Sequence, residues 1–176
     1  PVLSNVDKLC VDATEVTVDA YAACVSAGAC SPPDAYDAAT YPKAACNWKA
    51  PDRGKHPVNC VAYSQAEDFC RAAGKRLPSR DEWTWVARGG EKASTYPWGD
   101  DAPRADLLDA CGTECPKYMA SVHNDDAVAM GLTTMYEGDD GFGSTAPAGS
   151  FPKGATAEGV LDLAGNLAGI EYFGRG

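Results

Sequence analysis

The sequence predicts one α+β domain with two or three short helices, a few short strands and a large share of irregular loop. Three observations predict it. Helix start and stop signals coincide at only three places. The stretches between them, including nearly all of residues 91–160, carry no sustained helical or alternating period. Eight cysteines are spread over the first two thirds of the chain. A length of 176 residues with 45% hydrophobic content supports one sizeable core and is short for two, so residues 1–176 are read as a single domain.

The elements follow in chain order. Residues 8–16 (KLCVDATEV) alternate enough to predict a strand. Thr17 is then a helix N-cap and Gly28 the stop, with Val18, Tyr21, Ala22 and Val25 on one face. Residues 29–57 are rich in Pro, Ala, Asp and Tyr without a period, a long loop for which Cys30 and Cys46 are the expected pins. HPVNCVAY, residues 56–63, reads as a short buried strand. Ser64-Gln-Ala-Glu67 is a capping box that opens a helix carrying Ala66, Phe69, Cys70 and Ala73 on one face and ending at Gly74. Ser79-Arg-Asp-Glu82 repeats the device directly after Pro78, with Gly89-Gly90 as the stop. Beyond it, Tyr96, Trp98, Tyr118, Tyr136 and Phe142 are scattered aromatic anchors in Gly-, Asp- and Pro-rich loop.

So much loop needs stiffening, and disulfides or bound calcium are the usual devices. None of the eight cysteines stands in a CxxC knuckle, which favours disulfides in an oxidising compartment over a zinc site. Their pairing stays open; the short loops Cys24–Cys30 and Cys111–Cys115 are the simplest guesses. With 25 acids against 15 bases the formal charge is -10, which argues against nucleic acid or an anionic membrane as partner and leaves carboxylates to spare for a hard cation. No apolar run approaches the ~20 residues of a membrane span. The chain opens on Pro1, so the expectation is an export signal removed or left out, and any lipid anchor would lie outside this chain.

The segments HPVNCVAYSQAEDFCRAAGKRLPSRDEWTWVARGG, YPWGDDAPR, DDGFGSTAPAGSFPKG and GVLDLAGN follow one another in an order that resembles the formylglycine-generating enzyme, or sulfatase-modifying factor, family over roughly residues 8–168. The resemblance implies a C-type-lectin-like fold: a small twisted antiparallel sheet, few helices and much ordered loop. It implies two calcium sites. One would use Asn124 with Asp140 and the Phe142 carbonyl of the Asp-Gly-Phe turn. The other would use Asp162 with the carbonyls of Gly165 and Leu167. Against each stands a plain turn, in which the acids accept local backbone amides.

The resemblance also sets out what this sequence lacks. Relatives read GN-x-W-E-W, with the Glu as a further ligand of the second calcium site, where this chain reads GNLAGI, so Ala168 and Gly169 stand at the Trp and Glu positions, and Glu171 is two residues late. Oxidase members hold copper with two cysteines beyond a later RGGSW strand, for which Phe173-Gly174-Arg175-Gly176 is at most the start; none of the eight cysteines corresponds to those ligands. With only His56 and His123, no facial histidine arrangement can be built, and His56 is expected to be structural. Arg76 and Arg88 are expected to support the fold by pairing with carboxylates such as Glu82, and Trp83, Trp85 and Trp98 to anchor the core. No Glu-Pro-Asn or Gln-Pro-Asp sugar triplet occurs.

The expected function is an exported, bacterial, non-catalytic domain, secreted, periplasmic or at the cell surface, that binds a protein or surface ligand or serves as a scaffold. The alternative is a copper-dependent oxidase converting a sulfatase cysteine to formylglycine, with its catalytic cysteines beyond residue 176.

Overall fold

The computed structural model describes residues 9–33, 46–123 and 134–167. Four α-helices are present among them: α1 Val18–Ser26, α2 Tyr63–Ala72, α3 Arg80–Ala87 and α4 Cys115–His123, with 3₁₀ turns at Gly90–Lys92 and Pro152–Gly154.

Helix α1 begins and ends where its caps dictate. The Thr17 hydroxyl accepts from the Ala20 amide (3.2 Å), and the chain leaves through Gly28 at φ 73°, a left-handed turn that glycine adopts without strain. Val18 and Tyr21 are buried. The Tyr21 ring stacks on Phe69 of α2 (centroids 5.6 Å) and meets Trp48 edge-on (5.8 Å), which joins the two helices to the loop before them. Burying one such aromatic contributes about 2 kcal/mol.

Helix α2 starts two residues before the expected cap. Ala62 is the N-cap, and the Gln65 side chain accepts from its amide (2.9 Å), so Ser64 lies inside the helix. Gln65 is 5% exposed, and its amide nitrogen donates to Ser31 Oγ (3.0 Å) and the Pro32 carbonyl (2.7 Å). Anchoring Gln65 to that loop fixes the helix start more firmly than a solvent-facing serine would. Helix α3 keeps both arms of its capping box: Ser79 Oγ accepts from the Glu82 amide (3.3 Å), and Glu82 Oε2 accepts from the Ser79 amide (2.8 Å). Arg76 grips the same carboxylate with both terminal nitrogens (2.6 and 2.5 Å). Arg88 does not share it. Its guanidinium donates to the carbonyls of Ala93 (2.8 Å) and Ser94 (3.2 Å), closing the turn after α3.

The two expected strands are not formed. Among the described residues the only β pairings are isolated bridges, Thr17 with Pro57 and Tyr96 with Gly99. Val18 donates to the His56 carbonyl (2.9 Å) and Val58 to the Val16 carbonyl (2.8 Å), one antiparallel rung. It cannot lengthen. Pro57 has no amide to donate, α1 begins at Val18, and Cys60 turns left-handed at φ 58° where it is tied to Cys46. Among the described residues the short helices and long loops of the α+β reading are present, and its sheet is not. Helix α4 lies in the stretch read as loop; Pro116 and the flanking cysteines give the sequence there the look of a turn.

Three disulfides stiffen the loops: Cys24–Cys30, Cys46–Cys60 and Cys111–Cys115. The two short pairings guessed from spacing are formed, and Cys30 and Cys46 each pin their end of the long loop. Leu107, Leu108 and Tyr136 form a buried cluster with Trp98, Ala105 and Ala110 packed against it. No helix among the described residues is long and apolar enough to cross a membrane.

Candidate metal centre

The Asp-Gly-Phe turn sits against this core. Asp139 Oδ1 accepts from the Gly141 amide and Asp140 Oδ1 from the Phe142 amide (2.8 Å each), two successive turns closed by aspartate side chains. Asp140 Oδ2 accepts from the Tyr136 hydroxyl (2.5 Å) and the Ala110 amide (3.1 Å), which holds the carboxylate in place. The Phe142 ring packs edge-on against Phe151 (6.1 Å). From the other side the Cys111–Cys115 loop brings up Glu114, whose Oε1 accepts from the Gly112 amide (2.9 Å). One oxygen from each of Glu114, Asp139 and Asp140 falls within a 4.8 Å span. Glu114 Oε2 is buried with no hydrogen-bond partner. Asn124, the upstream ligand expected for this turn, lies outside the described residues.

The second expected site is the turn at residues 162–167. Asp162 and Asn166 are both left-handed (φ 59° and 64°), a conformation these two residue types tolerate. Gly165 passes so close to the chain that a Cβ there would stand 2.3 Å from the Asp109 carbonyl, which accepts the Asn166 amide at 2.8 Å. Asn166 bridges three segments: its Oδ1 accepts from the Ala146 amide (3.0 Å), and its Nδ2 donates to Glu15 Oε2 (2.8 Å) and the Ala146 carbonyl (3.2 Å). Asp162 Oδ2 accepts from the Gly149 amide (2.6 Å), 13 residues away, so the carboxylate caps a distant segment and not its own turn. The Gly165 carbonyl accepts from the Leu167 amide (2.8 Å). Ala168, Gly169 and Glu171 lie outside the described residues.

Two acids that the motif did not single out complete this turn. Asp109 is 6% exposed and its Oδ2 accepts from the Ala146 amide (2.6 Å). Burial, with Asp140 nearby, raises its pKa to about 7. Glu15, just before the α1 cap, is raised to about 8 by burial and by the neighbouring Asp162 charge. Its Oε1 is buried without a partner. Burial raises Asp162 as well. Asp109 feels Asp140, Glu114 and Asp162, so the two turns form one continuous acidic seam.

The donor set is all oxygen and two of its buried oxygens are orphaned, and at the Glu114, Asp139 and Asp140 end the carboxylates converge closely enough to fit a hard divalent cation. Asp162 and Asp140 were legible from their motifs. Glu15, Asp109 and Glu114 were not, since Glu15 reads as part of a helix entry and Glu114 as filler in a cysteine loop. The described cysteines offer a soft metal less. Cys111 and Cys115 are joined to each other, leaving Cys10 and Cys70 as the free thiols. His56 is 8% exposed, with Nδ1 3.1 Å from both Thr145 Oγ1 and Arg53, a packed hydrogen-bonding role.

Residues 3–170 match the sulfatase-modifying factor enzyme 1-like domain. The chain belongs to this family. It is 34% identical over 165 residues to the formylglycine-generating enzyme of Mycobacterium tuberculosis (89% of this chain, 49% of that protein). It is 30% identical over 134 residues to the formylglycine-generating enzyme of Mus musculus (72% and 32%). It is 34% identical over 113 residues to the inactive C-alpha-formylglycine-generating enzyme 2 of Bos taurus (63% and 31%). The chain thus spans half or less of the length of these relatives. The relatives include proteins named formylglycine-generating enzyme and one named inactive, so family membership leaves both roles open.

Proposed function

We propose that this chain is a non-catalytic domain of the sulfatase-modifying factor family, exported to an oxidising compartment, where it binds a protein or surface ligand or serves as a scaffold. Calcium on the acidic seam would stiffen it. The observation that carries this reading is the turn at 162–167. Asp162, Gly165 and Asn166 are kept and bound into the fold, while the following Trp-Glu pair of the family pattern is replaced by Ala168-Gly169. Glu15, Asp109 and Asp162 at one end, and Glu114, Asp139 and Asp140 at the other, are the residues that would face the cation. Bound there, it would neutralise buried charge and close loops that no strand ladder holds. The three disulfides support the oxidising compartment.

A second reading, a copper-dependent oxidase of sulfatase cysteines, is favoured by the identity to relatives named formylglycine-generating enzyme. The two separate cleanly. The full-length protein, supplied with copper and air, is incubated with a cysteine-containing peptide from a sulfatase, and the peptide is weighed by mass spectrometry. The proposal expects unchanged peptide; conversion of the cysteine to formylglycine over many turnovers establishes the second reading instead.

A further inference from the structure

All eight cysteines lie among the described residues, and the three disulfides use six, leaving Cys10, exposed, and Cys70, half-buried on α2. These two thiols are 60 residues apart in sequence, but the fold brings their segments together. Lys75 Nζ donates to Asp12 Oδ1 at 2.5 Å, fastening the segment that begins at Cys10 to the end of α2. The Lys75 amide in turn donates to the Cys70 carbonyl at 2.7 Å, so that fastening point is built directly on Cys70. On the other side the Ala13 carbonyl accepts from Leu161 (2.8 Å), which fixes where the segment runs. Cys10 is only two residues from Asp12, a reach of at most roughly 7 Å. A disulfide needs its two Cα atoms about 4.4–6.8 Å apart, so closing the bond takes a movement of residues 9–11 toward α2.

We propose that Cys10 and Cys70 form a fourth disulfide that ties the start of the domain to α2. This goes beyond the functional reading above and needs only an oxidising medium. The oxidant is a disulfide, such as oxidised glutathione. The exposed Cys10 thiolate attacks one of its sulfurs, forming a mixed disulfide and releasing one glutathione thiol. The Cys70 sulfur, losing its proton to solvent, then attacks Cys10 Sγ and releases the second. Two protein thiols are oxidised by two electrons and one oxidant disulfide is reduced to two thiols. Burial and the Asp12 carboxylate raise the Cys70 thiol, so less of it is thiolate and the exposed Cys10 is the thiol that reacts first.

The test is a disulfide map of the full chain, folded in a glutathione redox buffer in which Cys24–Cys30, Cys46–Cys60 and Cys111–Cys115 are complete. The protein is denatured without reduction, alkylated and digested with trypsin. Residues 9–43 and 56–71 are separate tryptic segments, and of the four bonds only Cys10–Cys70 joins them. The expected result is that joined species, with no alkylated cysteine. Alkylation of both Cys10 and Cys70, pairing of either with another cysteine, or a disulfide-linked dimer through Cys10 would overturn the proposal. Cys10→Ser supplies the control: Cys70, and no other cysteine, should become stoichiometrically alkylated, and Tm should fall by several degrees, as expected for opening a long loop. A Cys70 still protected in Cys10→Ser would count equally against it.

Discussion

Gly165 carries a heavier constraint than its flexibility suggests. It is not left-handed; it is required because the Asp109 carbonyl occupies the space a side chain would need. A rigid backbone atom cannot step aside as a flexible side chain can. Gly165→Ala is expected to cost about 2–4 kcal/mol, read as a lower urea midpoint at unchanged m-value. Glu15 is the opposite case. It is buried beside Asp162 with one oxygen unpartnered, so its charge is a liability unless a cation is present. Glu15→Gln should therefore stabilise the calcium-free protein by on the order of 1 kcal/mol and weaken its response to calcium. Equal destabilisation with and without calcium would show that Glu15 serves packing alone.

At the level of the elements, α3 is held by one carboxylate with three duties. Glu82 completes the capping box, pairs with Arg76 and sits in the first helical turn. The Arg76 hydrogen bond, more than any other contact, holds its pKa at about 2, below the ordinary 4.5. A depressed carboxylate stabilises the fold above its unfolded pKa, and that contribution is lost as pH falls from about 4.5 toward 2. Thermal melts across that interval should show a slope that Glu82→Gln reduces. Helices α1 to α3 were legible because caps are local: Thr17, Ser79 and the stop glycines act within one turn. The strands were not, because alternation in residues 8–16 and 56–63 says nothing about a partner, and Pro57 and the left-handed Cys60 stop the ladder after one rung. The metal centre divides the same way. Asp140 and Asp162 announce themselves by their turns, whereas Glu15 and Asp109 join them from 147 and 53 residues before Asp162, a meeting only the folded chain makes.

For the whole molecule, the acidic seam links the entry to α1, the core cluster, the Cys111–Cys115 loop and the final described turn. A cation at either end would act on all of them at once. Millimolar calcium is expected to raise Tm cooperatively, by roughly 5–10 °C at a hundredfold excess over Kd, and chelation to reverse it. Calorimetric titration should find binding that Asp162→Asn and Asp140→Asn each weaken at one end of the seam. No heat and no shift in Tm would sink the calcium reading while leaving family membership untouched.

The three disulfides have a further consequence, for the order of events during synthesis. Their sequence separations are 6, 14 and 4 residues. Each pair can meet almost as soon as its second cysteine leaves the ribosome or translocon, long before the 140s and 160s exist to close the seam. Crosslinks would therefore precede most of the long-range structure, and the second cysteine of each of these pairs would find its partner as the nearest cysteine before it in the chain. Cys10 is the exception: its 60-residue wait for Cys70 lets four other cysteines pass, so this N-terminal thiol is where a need for disulfide isomerisation should concentrate.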